Sequence, residues 1–219
     1  KNYAKYQDAV RRMDTLVGRN LDALRDAGLQ KNTIVIYNSD HGGVLPRSKR
    51  FLLDSGIHCP LVIRIPPAFQ SLYPSDNPGD TVGRIVSFID LPKTWLSLAH
   101  AAIPDVMQGR IFLGPHQEPS RAFAVAYRDR MDERYDAARA IRDKRYLYIR
   151  HLMPYVPRGQ YLAYLWRAPA AGAWQAHHRE GKTNAITGRF FRPKPTEELY
   201  DTWHDPHSIH NLAEKPKYQ

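Results

Sequence analysis

The sequence predicts an α/β fold: part of a large mixed sheet flanked by helices, followed by a small antiparallel-sheet subdomain. Three observations carry this. A long amphipathic helical pattern comes just before a short β-branched run at residues 33–37, and a second such run follows at 61–65. Beyond a stretch rich in Pro and Gly, at 103–120, the chain changes to short strands separated by tight turns.

The elements follow in order. Between residues 6 and 27, Val10, Met13, Val17, Leu21, Leu24 and Ala27 recur every three to four positions. Arg11, Arg12, Arg19, Asp22 and Arg25 fill the other face, and Gly28 is placed to end the helix in a left-handed conformation. Thr33-Ile34-Val35-Ile36-Tyr37 shows no alternation, which suits a strand buried on both faces of a parallel sheet. Leu61-Val62-Ile63-Arg64-Ile65 reads the same way and is closed by Pro66-Pro67. After a loop at 66–79 and an apolar stretch from Val82 to Phe88, Asp90 is placed to cap a helix over 91–101, with Pro92 in its first turn. The 103–120 stretch marks the predicted boundary between a portion at 1–115 and a subdomain at 116–219. In the latter, 122–127, 137–142 and 145–150 read as strands, with a tight hairpin at Asp143-Lys144. Residues 160–178 read as helical and Glu198-Leu199-Tyr200-Asp201 as a last short strand.

The α/β portion shows two convincing buried strands, whereas such sheets usually hold about five or six. A two-stranded sheet is not stable alone, so the missing strands are expected upstream. Composition is ordinary for a globular chain, at 42% apolar and 25% charged. The net charge of +10, from 32 Lys and Arg against 22 Asp and Glu, favours a polyanionic partner. No zinc-finger spacing or aromatic RNA-binding motif accompanies it, and the basic residues are scattered, so no nucleic-acid partner is expected. No apolar run reaches the ~18 residues of a membrane span. Cys59 is the only cysteine, which excludes an intramolecular disulfide.

Chemistry concentrates at Ser39-Asp40-His41-Gly42-Gly43, directly after the first buried run. Ligands of open α/β sheets bind just beyond the carboxyl ends of strands. There Asp40 offers a hard oxygen and His41 a nitrogen to one cation, while two glycines let the backbone turn sharply. The alternative is a polar turn with an Asp cap. Lys49, within Pro46-Arg47-Ser48-Lys49-Arg50, suits a tetrahedral oxyanion; the alternative is a solvated basic loop.

The order of these segments, with Asp54-Ser55-Gly56-Ile57-His58-Cys59-Pro60 leading into the second run, resembles the second half of the catalytic domain of type I sulfatases, in the alkaline-phosphatase superfamily. Asp90-Leu91-Pro92-Lys93-Thr94 is similar to the family's Asp-Leu-x-Pro-Thr helix, and Glu198-Leu199-Tyr200-Asp201, Asp205-Pro206 and Asn211-Leu212-Ala213 to its closing signature. The Asp-His-Gly-Gly and Arg128-to-Tyr135 segments look most like heparan N-sulfatases (N-sulfoglucosamine sulfohydrolases).

The resemblance implies the C-terminal part of an alkaline-phosphatase-like sulfatase fold. It implies Asp40 and His41 as metal ligands and Lys49 as the sulfate contact. The metal is expected to be Ca²⁺ by family, whereas the imidazole of His41 is also compatible with Zn²⁺ or Mn²⁺. The family nucleophile, a formylglycine made within Cys/Ser-x-Pro-x-Arg, has no counterpart, since Cys59 is followed directly by Pro60 and no Ser-x-Pro-x-Arg occurs. The family's Asp-Asp metal pair is absent too. The resemblance therefore implies the C-terminal portion of a metal-dependent sulfatase, inactive alone and completed by an N-terminal half, that hydrolyses sulfate ester or sulfamate groups on a glycosaminoglycan-like carbohydrate in a periplasmic, secreted or lysosome-like setting. The dense charged segment from Tyr127 to Tyr135, expected in a loop, offers Arg128, Arg130 and Arg134 for reading sulfate or carboxylate groups. An internal Arg–carboxylate network explains these arginines equally well. Two other functions stay open: a phosphatase or phosphodiesterase of the same superfamily, and a non-catalytic basic glycan-binding module.

Overall fold

The computed structural model describes residues 2–219 and divides into two compact units that do not follow chain order. One holds residues 3–37 and 61–124; the other holds 38–60 and 125–219.

In the first unit, helix α1 (Asn2–Asp26) ends as its sequence requires. Gly28 takes φ +73°, and the Leu29 amide reaches back to the Leu24 carbonyl at 3.1 Å, which satisfies a terminal acceptor. The chain then enters β1 (Val35–Asn38), which pairs with β2 (Leu61–Arg64). The Tyr37 hydroxyl meets the Met13 sulfur at 3.5 Å, linking the helix to the strand. The expected burial of both strand faces is not observed. Half-buried residues alternate with exposed ones, and Val62 is 60% exposed. A sheet of two strands covers one face only, so every second apolar side chain is left in solvent. Val10, Met13, Leu16 and Leu21 of α1 are exposed as well.

Helix α3 (Asp90–Leu98) follows; the short α2 (Asp54–Ile57) belongs to the second unit. Asp90 does not act as the expected cap, because it lies inside the first turn. Its buried carboxylate instead accepts the Ser87 amide at 2.9 Å, the Arg110 amide at 2.7 Å and the Arg121 guanidinium at 3.1 Å. Burial alone would raise its pKa, but the Arg121 bond and the two backbone donors outweigh burial and lower it. Phe112 packs edge-on against Trp95, with ring centres 5.6 Å apart, tying the Pro- and Gly-rich stretch to this helix.

The second unit is built on a four-stranded sheet in the order β3 (Ala124–Met131), β4 (Arg134–Arg142), β5 (Tyr146–His151), β6 (Glu197–Asp201). The predicted tight turn joins β4 to β5, and the Asp143 carboxylate fixes it by accepting the Arg145 and Tyr146 amides at 2.7 and 2.5 Å. β4–β5 and β5–β6 are antiparallel, with Ala140 opposite Ile149 and Leu147 opposite Tyr200. The period of two puts Ala138, Ala140, Leu147, Ile149 and Tyr200 on one buried face. Against it pack Phe51 and Leu53, Leu162 and Leu165 around α4 (Ala163–Trp166), Ala171 of α5 (Pro169–Arg179), and Phe190. The predicted helical stretch at 160–178 thus forms two helices, with the break at Ala168-Pro169, where proline disfavours a helical residue before it. Trp174 lies flat on Phe190, with centres 4.6 Å apart, as a core aromatic.

The charged segment at 127–135 is a β-hairpin rather than a loop. Strand alternation there is carried by charged residues, which hides it from a hydrophobicity reading, and Asp132 takes the left-handed conformation of the turn at φ +56°.

Candidate functional site

The segment leaving β1 is stitched to α2 and to its own return. The Gly42 amide donates to the Gly56 carbonyl at 3.2 Å, and the Lys49 amide to the Gly43 carbonyl at 3.1 Å. Ser48 Oγ donates to the Ser55 carbonyl at 2.7 Å, and Ser55 Oγ to the Arg47 carbonyl at 2.9 Å. Only glycine fits at the crossing. A Cβ on Gly42 would lie 2.0 Å from the Ser55 carbonyl oxygen, and one on Gly56 2.2 Å from that of Phe51. We expect Gly42→Ala to destabilise the protein by about 1–3 kcal/mol, the usual cost of overpacking. A denaturant midpoint unchanged from wild type would contradict this reading of the crossing.

This loop presents a two-donor group. Asp40 Oδ2 and His41 Nε2 lie 3.3 Å apart, with the Asp40 side chain 84% exposed and that of His41 29% exposed. His41 Nδ1 sits 2.7 Å from the Gly42 carbonyl oxygen, which can only accept, so the proton belongs on Nδ1. In the neutral tautomer the lone pair of Nε2 and the Asp40 carboxylate can share one cation; a protonated ring instead pairs with Asp40 directly. The donor chemistry therefore fits a divalent cation, as two of its ligands. Among the described residues, no group of three or more His, Cys, Asp or Glu gathers to hold a metal, so the pair would be a partial ligand set.

Lys49 shares the loop. Its backbone is fixed to Gly43, and its ammonium sits 5.3 Å above the ring of Tyr164 in α4, a cation–π contact that limits where the charge can go. Arg50 lies 5.9 Å over the same ring and pairs with Asp132 of the hairpin turn at 3.5 Å. The turn is anchored in its own right by Glu133, which accepts the Ala163 amide at 2.7 Å. Sequence reasoning overlooked Tyr164 and Asp132 because more than eighty residues separate them from the loop and no spacing signal links them.

The structure separates the three arginines of the hairpin. Arg128 is buried and pairs with buried Asp136 at 3.1 Å, which also accepts Lys194 Nζ at 2.8 Å. Burial lowers the Arg128 pKa to about 10 even with Asp136 beside it. Its charge is committed inside the unit. Arg130 and Arg134 are at the surface, with Nε donating to the carbonyls of Asp132 at 3.2 Å and Tyr161 at 3.0 Å. Cys59 is half-buried at the entry to β2, and burial followed by the charge of Asp40 pushes its thiol pKa up, so it lacks the thiolate character of a nucleophile.

The Asp-His-Gly-Gly turn at a strand end and the antiparallel sheet agree with the resemblance to sulfatases of the alkaline-phosphatase superfamily. A sulfatase family model matches residues 1–101, just under half of the chain. The chain is 38% identical over 218 residues to an ulvan-active sulfatase of Formosa agariphila, covering 98% of this chain and 35% of that protein. It is 32% identical over 108 residues to an N-acetylglucosamine-6-O-sulfatase of Bacteroides thetaiotaomicron, covering 48% of this chain and 18% of that protein. A solved structure of a putative sulfatase from the same bacterium matches 98% of this chain and 39% of its own length, with TM-score 0.66 and 23% identity, a likeness of fold. The chain thus spans at most about a third of the length of these curated relatives.

Proposed function

We propose that this chain is part of a metal-dependent sulfuric ester hydrolase that removes sulfate from a sulfated, glycosaminoglycan-like carbohydrate. The observation that supports it most is the Asp40–His41 donor pair, 3.3 Å apart, on the loop whose backbone also anchors Lys49. Asp40 and His41 would hold the cation, which when bound supplies Lewis-acid activation of the attacking oxygen. Ca²⁺ is the family's expectation, and Zn²⁺ or Mn²⁺ suit the imidazole. Asp40 would contribute the charge of the pair, and the Gly42 carbonyl would keep His41 in the tautomer that can ligate. Lys49, steadied over Tyr164, would balance charge on the sulfate group as the ester bond breaks. Arg130 and Arg134 would meet further anionic groups of the glycan.

The nucleophile, a formylglycine by the family pattern, is expected elsewhere, because residues 1–219 contain no Cys/Ser-x-Pro-x-Arg segment. A further segment of the same enzyme is the expected partner, and the apolar residues exposed on α1, β1 and β2 support that expectation. No helix among the described residues is long and apolar enough to cross a membrane. The proposed setting is outside the cytoplasm, where sulfated glycans are met.

The test pairs sulfate and phosphate esters of one sugar with the full-length protein. Sulfate release should dominate, and in Lys49→Ala kcat/KM should fall by about 10²–10³-fold, as for loss of one oxyanion donor. Phosphate release alone would move the protein to phosphatase chemistry. Retention on heparin without turnover of either ester would favour a glycan-binding module.

A further inference from the structure

The second unit contains a small cavity, about 30 Å³, whose lining includes three arginines and none of Asp40, His41 or Lys49. Arg47 comes from the basic loop, Arg158 from the segment after β5, and Arg189 from the turn before Phe190; Tyr200 and Ser208 complete its polar lining. Leu53, Phe190 and Trp174 form apolar walls. This is a low-dielectric setting in which unbalanced charge is costly.

The charges around it do not balance. Arg158 pairs with Glu198, which is 3% exposed and also accepts His151 Nε2 at 3.1 Å. Arg47 instead donates to the carbonyls of His207 at 2.9 Å and Ser208 at 3.1 Å, and Arg189 to the carbonyl of Ile209 at 2.6 Å. The partners of these three cations therefore include one carboxylate, and the other two are held by neutral acceptors. Burial, then the nearby charges of Arg158 and Arg189, lowers the pKa of Arg47. Such a lining attracts a small anion, and a cavity of this size admits a single ion or one or two waters.

We infer that this cavity binds one small inorganic anion, of chloride or sulfate chemistry, between Arg47, Arg158 and Arg189. The anion would offset the charge excess and lock the loop carrying Arg47 to the segments carrying Arg189 and Ser208. The inference is independent of the proposed reaction, since it uses none of the residues assigned to it.

The test is thermal unfolding of the full-length protein at constant ionic strength, with sodium gluconate replaced stepwise by chloride or by sulfate. Gluconate is too large for the cavity. In wild type Tm should rise with the logarithm of anion concentration once the site is occupied, as linkage requires. Arg189→Met should need about tenfold or more anion for the same rise. A logarithmic rise in chloride, in sulfate or in both that Arg189→Met weakens supports the site and tells which anion it takes. A rise linear in anion concentration, and equal in wild type and Arg189→Met, is general salt stabilisation and overturns the inference. If Arg189→Met does not fold, bromide-soaked crystals of wild type decide: anomalous density in the cavity supports the site, and water alone overturns it.

Discussion

Glu198→Ala is expected to destabilise the second unit by about 3–5 kcal/mol, as much as a large core truncation, because it strands a buried cation. Glu198 points into the interior from β6, 3% exposed, and there it meets Arg158 and His151 of the neighbouring segments. Burial by itself pushes its pKa up; the hydrogen bonds from His151 and Arg158, with the charge of Arg158, overturn that and hold it at about 2. Removing the carboxylate leaves the guanidinium of Arg158 beside a hydrophobic face with Tyr200. The double variant Glu198→Leu/Arg158→Met removes both charges and should recover most of the loss, which the single change cannot. Urea unfolding of the three proteins checks this, and equal losses in the single and double variants would contradict it.

The same pair sets a pH dependence whose sign follows from the lowered pKa. Between its ordinary value of 4.5 and about 2, the carboxyl of Glu198 is protonated in the unfolded chain and ionised in the folded one. Unfolding takes up a proton there, so the contribution is complete above 4.5 and is lost as pH falls towards 2. Glu198→Ala should therefore lose less stability than wild type over that interval.

Much of this fold was legible in the sequence, and the exceptions share a physical cause. The helix at α1 with its Gly28 terminus, the Asp143 turn and the last strand were readable because local spacing and turn chemistry determine them. The hairpin at 127–135 was missed because its alternation is written in charged residues, whose apolar stems and buried pairs a hydropathy pattern cannot register. The double-sided burial expected of β1 and β2 was inferred from residue type alone. Burial depends on what covers a strand, and here Ile36 is 37% and Val62 60% exposed. Residues 38–60 were expected with the α/β portion by chain order, yet they pack with 125–219 through Phe51 and Leu53, an association that only tertiary contacts reveal.

The site shows the same division. Asp40, His41 and Lys49 stand out as candidates because a strand end, two glycines and a basic stretch lie close together in the sequence. Tyr164, which carries Lys49, and the Arg158–Glu198–His151 group come from distant segments and have no local signature. Arg128 follows the internal Arg–carboxylate alternative that the sequence left open, although its partners Asp136 and Lys194, on or near other strands, had no local signature.

The central claim is that Asp40 and His41 together hold the cation of a sulfate-releasing site. Asp40 Oδ2 lies 3.3 Å from His41 Nε2, and its loss leaves the imidazole as a single donor. The exposure of Asp40 means its removal disturbs no packing, which separates a chemical effect from a structural one. The direct measurement is metal content, alongside sulfate release from a sulfated oligosaccharide, for full-length wild type and Asp40→Ala at matched thermal stability. The account predicts that Asp40→Ala retains its fold and loses both the bound metal and the sulfate release. Full retention of either the metal or the turnover would contradict it.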